Sequence, residues 1–402
     1  MNHLPQPLRE LHCPGLKDLR VLEGSSLQLG AAGGYRGVIM GCTNLTRLQL
    51  VVVDLTDVPE GGVLDSLSCL VKLQHLVVEP TRPADVSGAT LRSNKLEHMK
   101  LMLSQENLLQ LGTFSCLRLL QLRTADDVIA VGPDSVPGLM LPASLTELFL
   151  RSPVQVALLS LVPTTLRDLR ITCDVEGPAA GPGSFLSCLD RLQQLTCLIL
   201  GRGSSFSWPP PGVAYSALTA RSSLVHLQVW NMDPGGPDAI WQYVFRSGRQ
   251  LPHLTYFRHA MVSGFTAWSV LELRSLISCC PSLCDLGSMW LQAGVHLSEL
   301  HMLTALTGLH VLDHFNDLES FEEFVQGLPV ITQLRRLVFD SNEQVPTTSL
   351  LPLTSLTLLT RLQLTGLPDD AQPVNDGPPL LATLLCFVSK VSKAGAVTLA
   401  AV

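Results

Sequence analysis

Leu145-Thr-Glu-Leu148-Phe-Leu150 is one copy of the pattern Leu-x-x-Leu-x-Leu, which decides the fold of this chain. Variants of the pattern recur at intervals of 21 to 30 residues. The fourteen copies begin at Leu16, Leu45, Leu73, Leu96, Leu117, Leu145, Leu166, Leu195, Leu224, Leu254, Leu283, Leu306, Leu334 and Leu359. Such a sustained period is typical of an array in which each repeat is one structural unit.

Each copy is predicted to form a short strand. Side chains alternate between the two faces of a strand, so the fourth and sixth positions of the copy point inward together, while the third, fifth and seventh point outward. One such strand cannot bury its apolar face alone. Stacked in parallel, the strands share one core, and the rest of each repeat returns the chain to the start of the next strand. We therefore expect a curved horseshoe with the outward positions on its concave side.

The clearest copies, at Leu45, Leu117, Leu145, Leu166, Leu195 and Leu359, resemble the leucine-rich-repeat family. The resemblance implies an α/β solenoid with a concave parallel β-sheet and convex helices, 3-10 turns and loops. The subtype resembles divergent intracellular members that mix ribonuclease-inhibitor-like and short repeats. Spacings of 28 to 30 residues leave room for helices, which we expect at 268–278 and 318–325, whereas spacings of 21 residues do not.

Two copies depart from the apolar pattern. His259 and Ser288 stand at the sixth positions of the copies that begin at Leu254 and Leu283, so we expect local irregularity between about residues 250 and 300. The asparagine that the family usually carries eight residues after the first leucine occurs here only as Asn342. The backbone groups of the other turns therefore need different partners.

The repeats divide the chain into three parts. Residues 1–15 are a short lead-in without a secretory signal, 16–367 form a solenoid of about 14 repeats, and 368–402 are a Pro-rich break followed by an apolar tail. The apolar run at 380–388 is shorter than the roughly 20 residues of a membrane span. We expect a helix that covers the end of the solenoid or a disordered end, with weak contact to a membrane surface as the other alternative, and no stable membrane insertion.

Composition narrows the class of protein. The eleven cysteines are irregularly spaced, which favours a reducing compartment and a cytoplasmic location. A net charge of -7 and only six lysines argue against nucleic-acid binding. The chain has none of the common phosphate-loop, dinucleotide, metalloprotease or nucleophile-elbow motifs, so we predict a protein that is not an enzyme and needs no cofactor.

A metal site is the one chemical alternative that the sequence raises. Cys279, Cys280 and Cys284 lie close together, and His310 and His314 are four residues apart. Structural zinc sites favour Cys-x2-Cys pairs in closed sets of four ligands, and no such pair occurs. Buried thiols and a surface histidine are therefore the expected interpretation, and no metal is predicted.

The predicted concave face carries most of the information about binding. Its positions hold nine basic and six acidic residues in a chain that is acidic as a whole, which favours an acidic or mixed-charge protein partner. Arginine and aromatic residues are enriched at binding hot spots. The predicted protein-binding residues are Arg123, Phe149, Arg151, Arg170, His226, Trp230, Tyr256 and Arg258.

The same residues have a purely structural interpretation, in which neighbouring charges neutralise one another. Strands about 4.8 Å apart would let Arg123 meet Glu147. In the same way, Arg151 or Arg170 could pair with Asp168. Trp230 could pack against Tyr256 instead of facing a partner.

The leading function is a non-catalytic protein-protein interaction scaffold that binds a protein partner on the concave face. The alternative is the substrate-recognition part of a ubiquitin-ligase-type complex, or a fragment of a larger enzyme whose catalytic domain is absent from this chain. One fold serves many such processes, so neither the partner nor the oligomeric state follows from the sequence.

Overall fold

The computed structural model describes sixteen segments of the chain, and every structural statement below concerns these residues. They are 15–21, 42–53, 69–80, 95–103, 114–124, 141–151, 153–172, 175–176, 185–201, 212–230, 243–260, 269–289, 297–312, 318–340, 347–365 and 397–400. The chain forms two compact units, Met1–Pro210 and Pro211–Val402, which we call unit 1 and unit 2.

Unit 1 contains a parallel sheet in which each strand pairs with the strand of the next repeat. Its order is β1-β2-β3-β4-β5-β6-β8-β10. These strands are Asp18–Val21, Arg47–Val53, His75–Pro80, His98–Leu103, Leu119–Thr124, Glu147–Leu150, Asp168–Ile171 and Cys197–Leu200. The connections of this unit hold a second, two-stranded pairing of β7 (Val154–Gln155) with β9 (Val175–Glu176), and the helices α1 (Val156–Ser160) and α2 (Phe185–Leu189).

Unit 2 repeats the same arrangement, with strands β11 to β17 paired in parallel and in chain order. These strands are His226–Trp230, Tyr256–Ala260, Asp285–Met289, Gly308–Leu312, Arg336–Asp340, Arg361–Thr365 and Val397–Ala400. The helices are α3 (Val270–Cys279), α4 (Leu297–Leu300) and α5 (Leu318–Gly327), and the 3-10 helices are Gly212–Thr219, Leu328–Val330 and Thr347–Ser355.

The predicted strands are confirmed, because all fourteen copies form a strand that starts at the third position. Leu148 and Leu150 are fully buried, whereas Glu147 and Phe149 between them are half-buried, as the alternation predicts. The buried leucines of successive strands stack into the core of each unit. The repeated strand, turn and connection form the expected leucine-rich-repeat solenoid. We call the sheet surface with the third, fifth and seventh positions the open face.

A hydrogen-bonded ladder that the sequence did not reveal joins successive repeats just before the strand, at seven junctions in the described part of unit 1 and five in that of unit 2. The carbonyl of the second position accepts two backbone N–H groups from the next repeat, as Lys17 does from Thr46 and Arg47 at 2.9 and 3.0 Å. Where the next repeat has threonine at its second position, the hydroxyl donates to the same carbonyl. Six threonines do so, at 3.0 to 3.4 Å: Thr46, Thr146, Thr196, Thr255, Thr307 and Thr360.

The connections confirm part of the helix prediction and correct another part. The expected helices at 268–278 and 318–325 are α3 and α5. Ser269 caps α3 with Glu272, since each side chain bonds the backbone N–H of the other residue. The prediction that a 21-residue spacing leaves no room for a helix is wrong, because α1 lies between the copies at Leu145 and Leu166. One helical turn fits because Val156, Leu158 and Leu159 bury against the core.

The irregularity expected between residues 250 and 300 is confirmed at β13, whose pairing with β14 shifts register between Leu286 and Met289. β12, by contrast, pairs regularly with β11 through Ala260, and His259 is fully buried there. β17 lies inside the predicted C-terminal tail and pairs with β16, which the sequence did not predict. The expected apolar run at 380–388 and the lead-in before Gly15 lie outside the described residues, so those boundaries stay predictions.

Candidate interaction surface

The eight predicted binding residues fall into two groups of four, one on each unit. Arg123, Phe149, Arg151 and Arg170 lie on the open face of strands β5, β6 and β8 and at their ends, and we call them the Phe149 cluster. His226, Trp230, Tyr256 and Arg258 lie on the open face of β11 and β12, and we call them the Trp230 cluster. The side chains of both clusters are exposed or half-buried.

Two ring contacts organise the Trp230 cluster. His226 and Tyr256 occupy the third positions of neighbouring strands, and their rings stack with centroids 4.0 Å apart and planes 7° apart. The Arg258 guanidinium lies over the Trp230 ring, with Cζ 4.8 Å from the centroid. Burial raises the pKa of the Tyr256 hydroxyl, so it remains a neutral donor at physiological pH.

The suggested packing of Trp230 against Tyr256 is not what the structure shows. Trp230 stands beside Ala260 in the register, and Tyr256 stands beside His226. Arg258 reaches the indole diagonally, because diagonal neighbours on one face are within range of long side chains. The indole is therefore held by a cation and remains half-exposed.

The open face of unit 2 also contains an ion pair that spans a whole strand. Asp285, Gly308 and Arg336 stand side by side at the third positions of β13, β14 and β15. The Arg336 guanidinium forms an ion pair with the Asp285 carboxylate across the glycine. A Cβ on Gly308 would lie 3.0 Å from that carboxylate, so a larger residue would crowd the pair. The sequence hides this contact because the partners are 51 residues apart.

In the Phe149 cluster, Arg170 is fixed by two neighbours. Its guanidinium lies 4.5 Å from the centroid of the Phe149 ring, and its Nη2 lies 2.7 Å from Oδ2 of Asp168. Its Nε also donates to Oδ1 of Asp168 at 3.0 Å. Hydrogen bonding to Asp168 raises the pKa of Arg170, so this charge is permanent. The predicted pairing of Arg170 with Asp168 is confirmed.

Arg123 and Arg151 lie at the carboxyl ends of β5 and β6, and both are exposed. The Arg151 N–H donates to the carbonyl of Leu122 at 3.0 Å, which extends the pairing of the two strands and brings the arginines side by side. The predicted contact of Arg123 with Glu147 is wrong. Glu147 stands beside Leu119, at the opposite end of the strands, because the copies at Leu117 and Leu145 are paired position for position.

Gln121 is a residue of this surface that the sequence analysis missed. It occupies an outward fifth position beside Phe149, yet its side chain is only 7% exposed, and its amide nitrogen has no hydrogen-bond partner among the described residues. Alternation predicted an exposed glutamine here. The register shows that Lys100 and Phe149 flank it on the neighbouring strands.

The cysteines and histidines considered for metal binding do not assemble a site within the described segments, which contain no group of three potential ligands. Cys279 and Cys280 are buried, and burial raises the pKa of both thiols. On the open face, burial and the neighbouring Asp168 raise the pKa of Cys197 to about 12, so it is a thiol and not a nucleophilic thiolate. His314 lies outside the described residues. No described helix has the length and apolarity to cross a membrane.

Comparisons with known proteins add little to this geometry. No protein-family model matches the chain, and no curated protein matches it. One match among solved structures is titled "The crystal structure of CroV588 a novel circular LRR protein structure". It is 14% identical, and the alignment covers 80% of this chain and 50% of that chain with a TM-score of 0.36. The chain therefore spans about half the length of that protein.

Proposed function

We propose that this chain is a non-catalytic, cytoplasmic scaffold of the divergent intracellular leucine-rich-repeat type, which binds a protein partner on its open face. The observation that carries the proposal is the Trp230 cluster. Four large side chains are held in contact there on a rigid sheet while remaining half-exposed. Because these side chains are already ordered, little conformational entropy is lost when a partner binds, which favours binding.

The chemistry of the cluster suits a protein partner. Tryptophan, tyrosine and arginine dominate binding hot spots because they combine large contact areas with directional polar groups. Beside them, Asp285 and Arg336 form an ion pair that offers both signs of charge to a partner's polar rim. An acidic or mixed-charge protein suits this surface better than nucleic acid, given the net charge of -7.

A comparison of variants tests the proposal. The intact chain, Trp230→Ala/Arg258→Ala and a control are immobilised, and cytosolic proteins retained by each are identified. The control is Leu271→Ala/Arg246→Ala, which removes an exposed leucine and an exposed arginine away from the open face. Circular dichroism first confirms that all three fold.

We expect one protein to be retained by the intact chain and by the control but not by Trp230→Ala/Arg258→Ala. When that protein is purified, it should bind the intact chain and the control more tightly than it binds Trp230→Ala/Arg258→Ala. Equal retention by all three forms, or no retention at all, would contradict the proposal. Retention of ubiquitin-ligase subunits by the intact chain would support the substrate-recognition alternative.

A further inference from the structure

Arg123 and Arg151 lack the kind of ion pair that holds four other arginines on the open face of the described segments. Arg20, Arg47, Arg170 and Arg336 each lie within ion-pairing distance of an aspartate on the same face. Arg123 and Arg151 have no ion pair with any described carboxylate, although both side chains are exposed at the carboxyl ends of β5 and β6. Like charges on adjacent strands repel each other, so this pair destabilises the fold. No ion pair with a described carboxylate offsets that repulsion.

Gln121 provides a second, independent observation at the same place. It precedes Arg123 by two residues on the same face, and Phe149 stands beside it on β6. Within the described segments, its buried amide nitrogen has no acceptor. A buried donor without a partner destabilises the fold, and this one lies beside two cations that have no described counter-ion.

Charge along these strands is arranged in one direction. Glu147 and Asp168 lie side by side at the amino ends of β6 and β8, Arg170 lies at the middle, and Arg123 and Arg151 lie at the carboxyl ends. A negatively charged group is therefore repelled from one end of this surface and attracted to the other. Beyond Arg151 the same row continues with Thr172, which is uncharged and exposed.

We propose that Arg123 and Arg151 form a binding site for carboxylate side chains, that the Gln121 side chain turns to donate its amide N–H to the bound carboxylate, and that the occupant is an acidic, extended segment of a protein partner. Guanidinium groups present N–H donors in a planar fork that matches both oxygens of a carboxylate. The Phe149 ring beside them supplies apolar surface for the residue next to the carboxylate. This inference rests on the proposed scaffold function and adds a second contact point to it, on unit 1.

Binding of a defined peptide tests the site. The probe is a fluorescein-labelled peptide of alternating glutamate and serine, compared with the same peptide carrying glutamine for glutamate. The full-length chain is titrated as wild type, as Arg123→Gln/Arg151→Gln and as the control Arg118→Gln/Arg167→Gln. The control removes the same charge from two exposed arginines at second positions, outside the row of the site.

We expect the glutamate peptide to bind more tightly than the glutamine peptide and to weaken as salt is added. Affinity should fall about tenfold or more in Arg123→Gln/Arg151→Gln and less than about twofold in the control, since charge-assisted hydrogen bonds are lost only in the first. Gln121→Leu, which keeps the volume and removes the donor, should give an intermediate loss.

Three results would overturn the site: equal affinity for the two peptides, equal losses in the two double variants, or tighter binding of a single-stranded RNA of similar length. Such a result would not contradict the scaffold function, provided that Trp230→Ala/Arg258→Ala fails to retain a protein that the intact chain retains. If instead only the proposed scaffold function is wrong, the glutamate peptide will bind at Arg123 and Arg151, but no retained protein will depend on Trp230.

Discussion

Individual side chains set how closely the repeats can pack, and Gly201 shows this most clearly. It follows β10 directly, is buried, and its N–H donates to the carbonyl of Ile171 at 2.6 Å. A Cβ at this position would lie 2.5 Å from Cγ2 of Thr172. The absence of a side chain at Gly201 therefore allows the ends of β8 and β10 to stay hydrogen-bonded.

Gly201→Ala should destabilise unit 1 by about 1–3 kcal/mol, because the added methyl group forces the strand ends apart. Gly15→Ala is the control, since a Cβ there meets nothing within 4 Å. Urea denaturation gives the change in the free energy of unfolding. A loss of the same size in both variants would contradict the packing argument.

The stacked histidines of unit 1 make stability depend on pH. His75 and His98 stand beside each other with ring centroids 4.4 Å apart. Burial, and then the nearby His98 and Arg47, lower the pKa of His75 from 6.5. The folded state thus binds fewer protons than the unfolded state at mildly acidic pH. The stability associated with neutral His75 is complete above pH 6.5 and is lost as the pH falls through the folded-state pKa.

His75→Gln should flatten the dependence of stability on pH below 6.5, because it removes the group whose pKa changes on folding. Urea midpoints between about pH 5 and 8 measure the slope. His253→Gln, at an exposed turn position, is the matched control and should keep the wild-type slope. An unchanged slope in His75→Gln would show that other groups cause the dependence.

At the scale of elements, twelve of the described strands are anchored to the preceding repeat before they begin. The second-position carbonyl accepts two N–H groups, and a threonine hydroxyl adds a third donor in six described repeats. The ladder lies before the strands, whereas the position eight residues after the first leucine, where the family usually carries asparagine, lies at or after their carboxyl ends. The ladder explains why the dipeptide Leu-Thr opens so many copies.

Thr146→Val and Thr196→Val should each lower the free energy of unfolding by about 0.5–1 kcal/mol, because the hydroxyl bonds at 3.3 and 3.1 Å are lost while the side-chain volume is kept. Thr→Ser at the same positions retains the hydroxyl and should cost less than valine. Chemical denaturation of the four variants measures the difference. If the serine and valine variants are equally stable, the threonine hydroxyls do not contribute to stability, and the threonines act through packing alone.

The elements also show what the sequence could and could not predict. Strands were predictable because the leucine positions and the two-residue alternation fix both their start and their buried face. α3 was predictable from its apolar period, and the residues of its capping box, Ser269 and Glu272, stand in the sequence at its start. The ladder was missed because a threonine at the second position looks like any polar residue until the preceding carbonyl is placed beside it.

Side-chain partners were the least predictable part of the candidate site. Arg170 and Asp168 share a strand, so their pairing followed from alternation alone. Arg336 and Asp285 are separated by an intervening strand, and their contact depends on the register of three strands and on the absence of a side chain at Gly308. Gln121 lost its predicted exposure because residues on two neighbouring strands cover it.

At the scale of the whole molecule, stability should be local within each unit, because each repeat contacts mainly its neighbours. Leu148→Ala opens a cavity under β6, where the leucine is fully buried, and should cost about 2–5 kcal/mol. In hydrogen exchange, protection should fall most in β5, β6 and β8 and least in β2. Val71→Ala, at a half-exposed position, should change neither the free energy of unfolding nor the protection of these strands. A uniform loss across unit 1 would show that it unfolds as one block.

The regular register of β6, β8 and β10 has a consequence for how such a chain can change over generations. Glu147 pairs with Asp168, 21 positions further along the chain, and Asp168 pairs with Cys197, 29 positions further, yet both pairs match position for position. Insertions and deletions in the connections therefore leave the open face unaltered. One residue gained inside the Leu-x-x-Leu-x-Leu segment would turn a strand over and present its leucines to water. Mutation can lengthen this protein freely between strands and hardly at all within them.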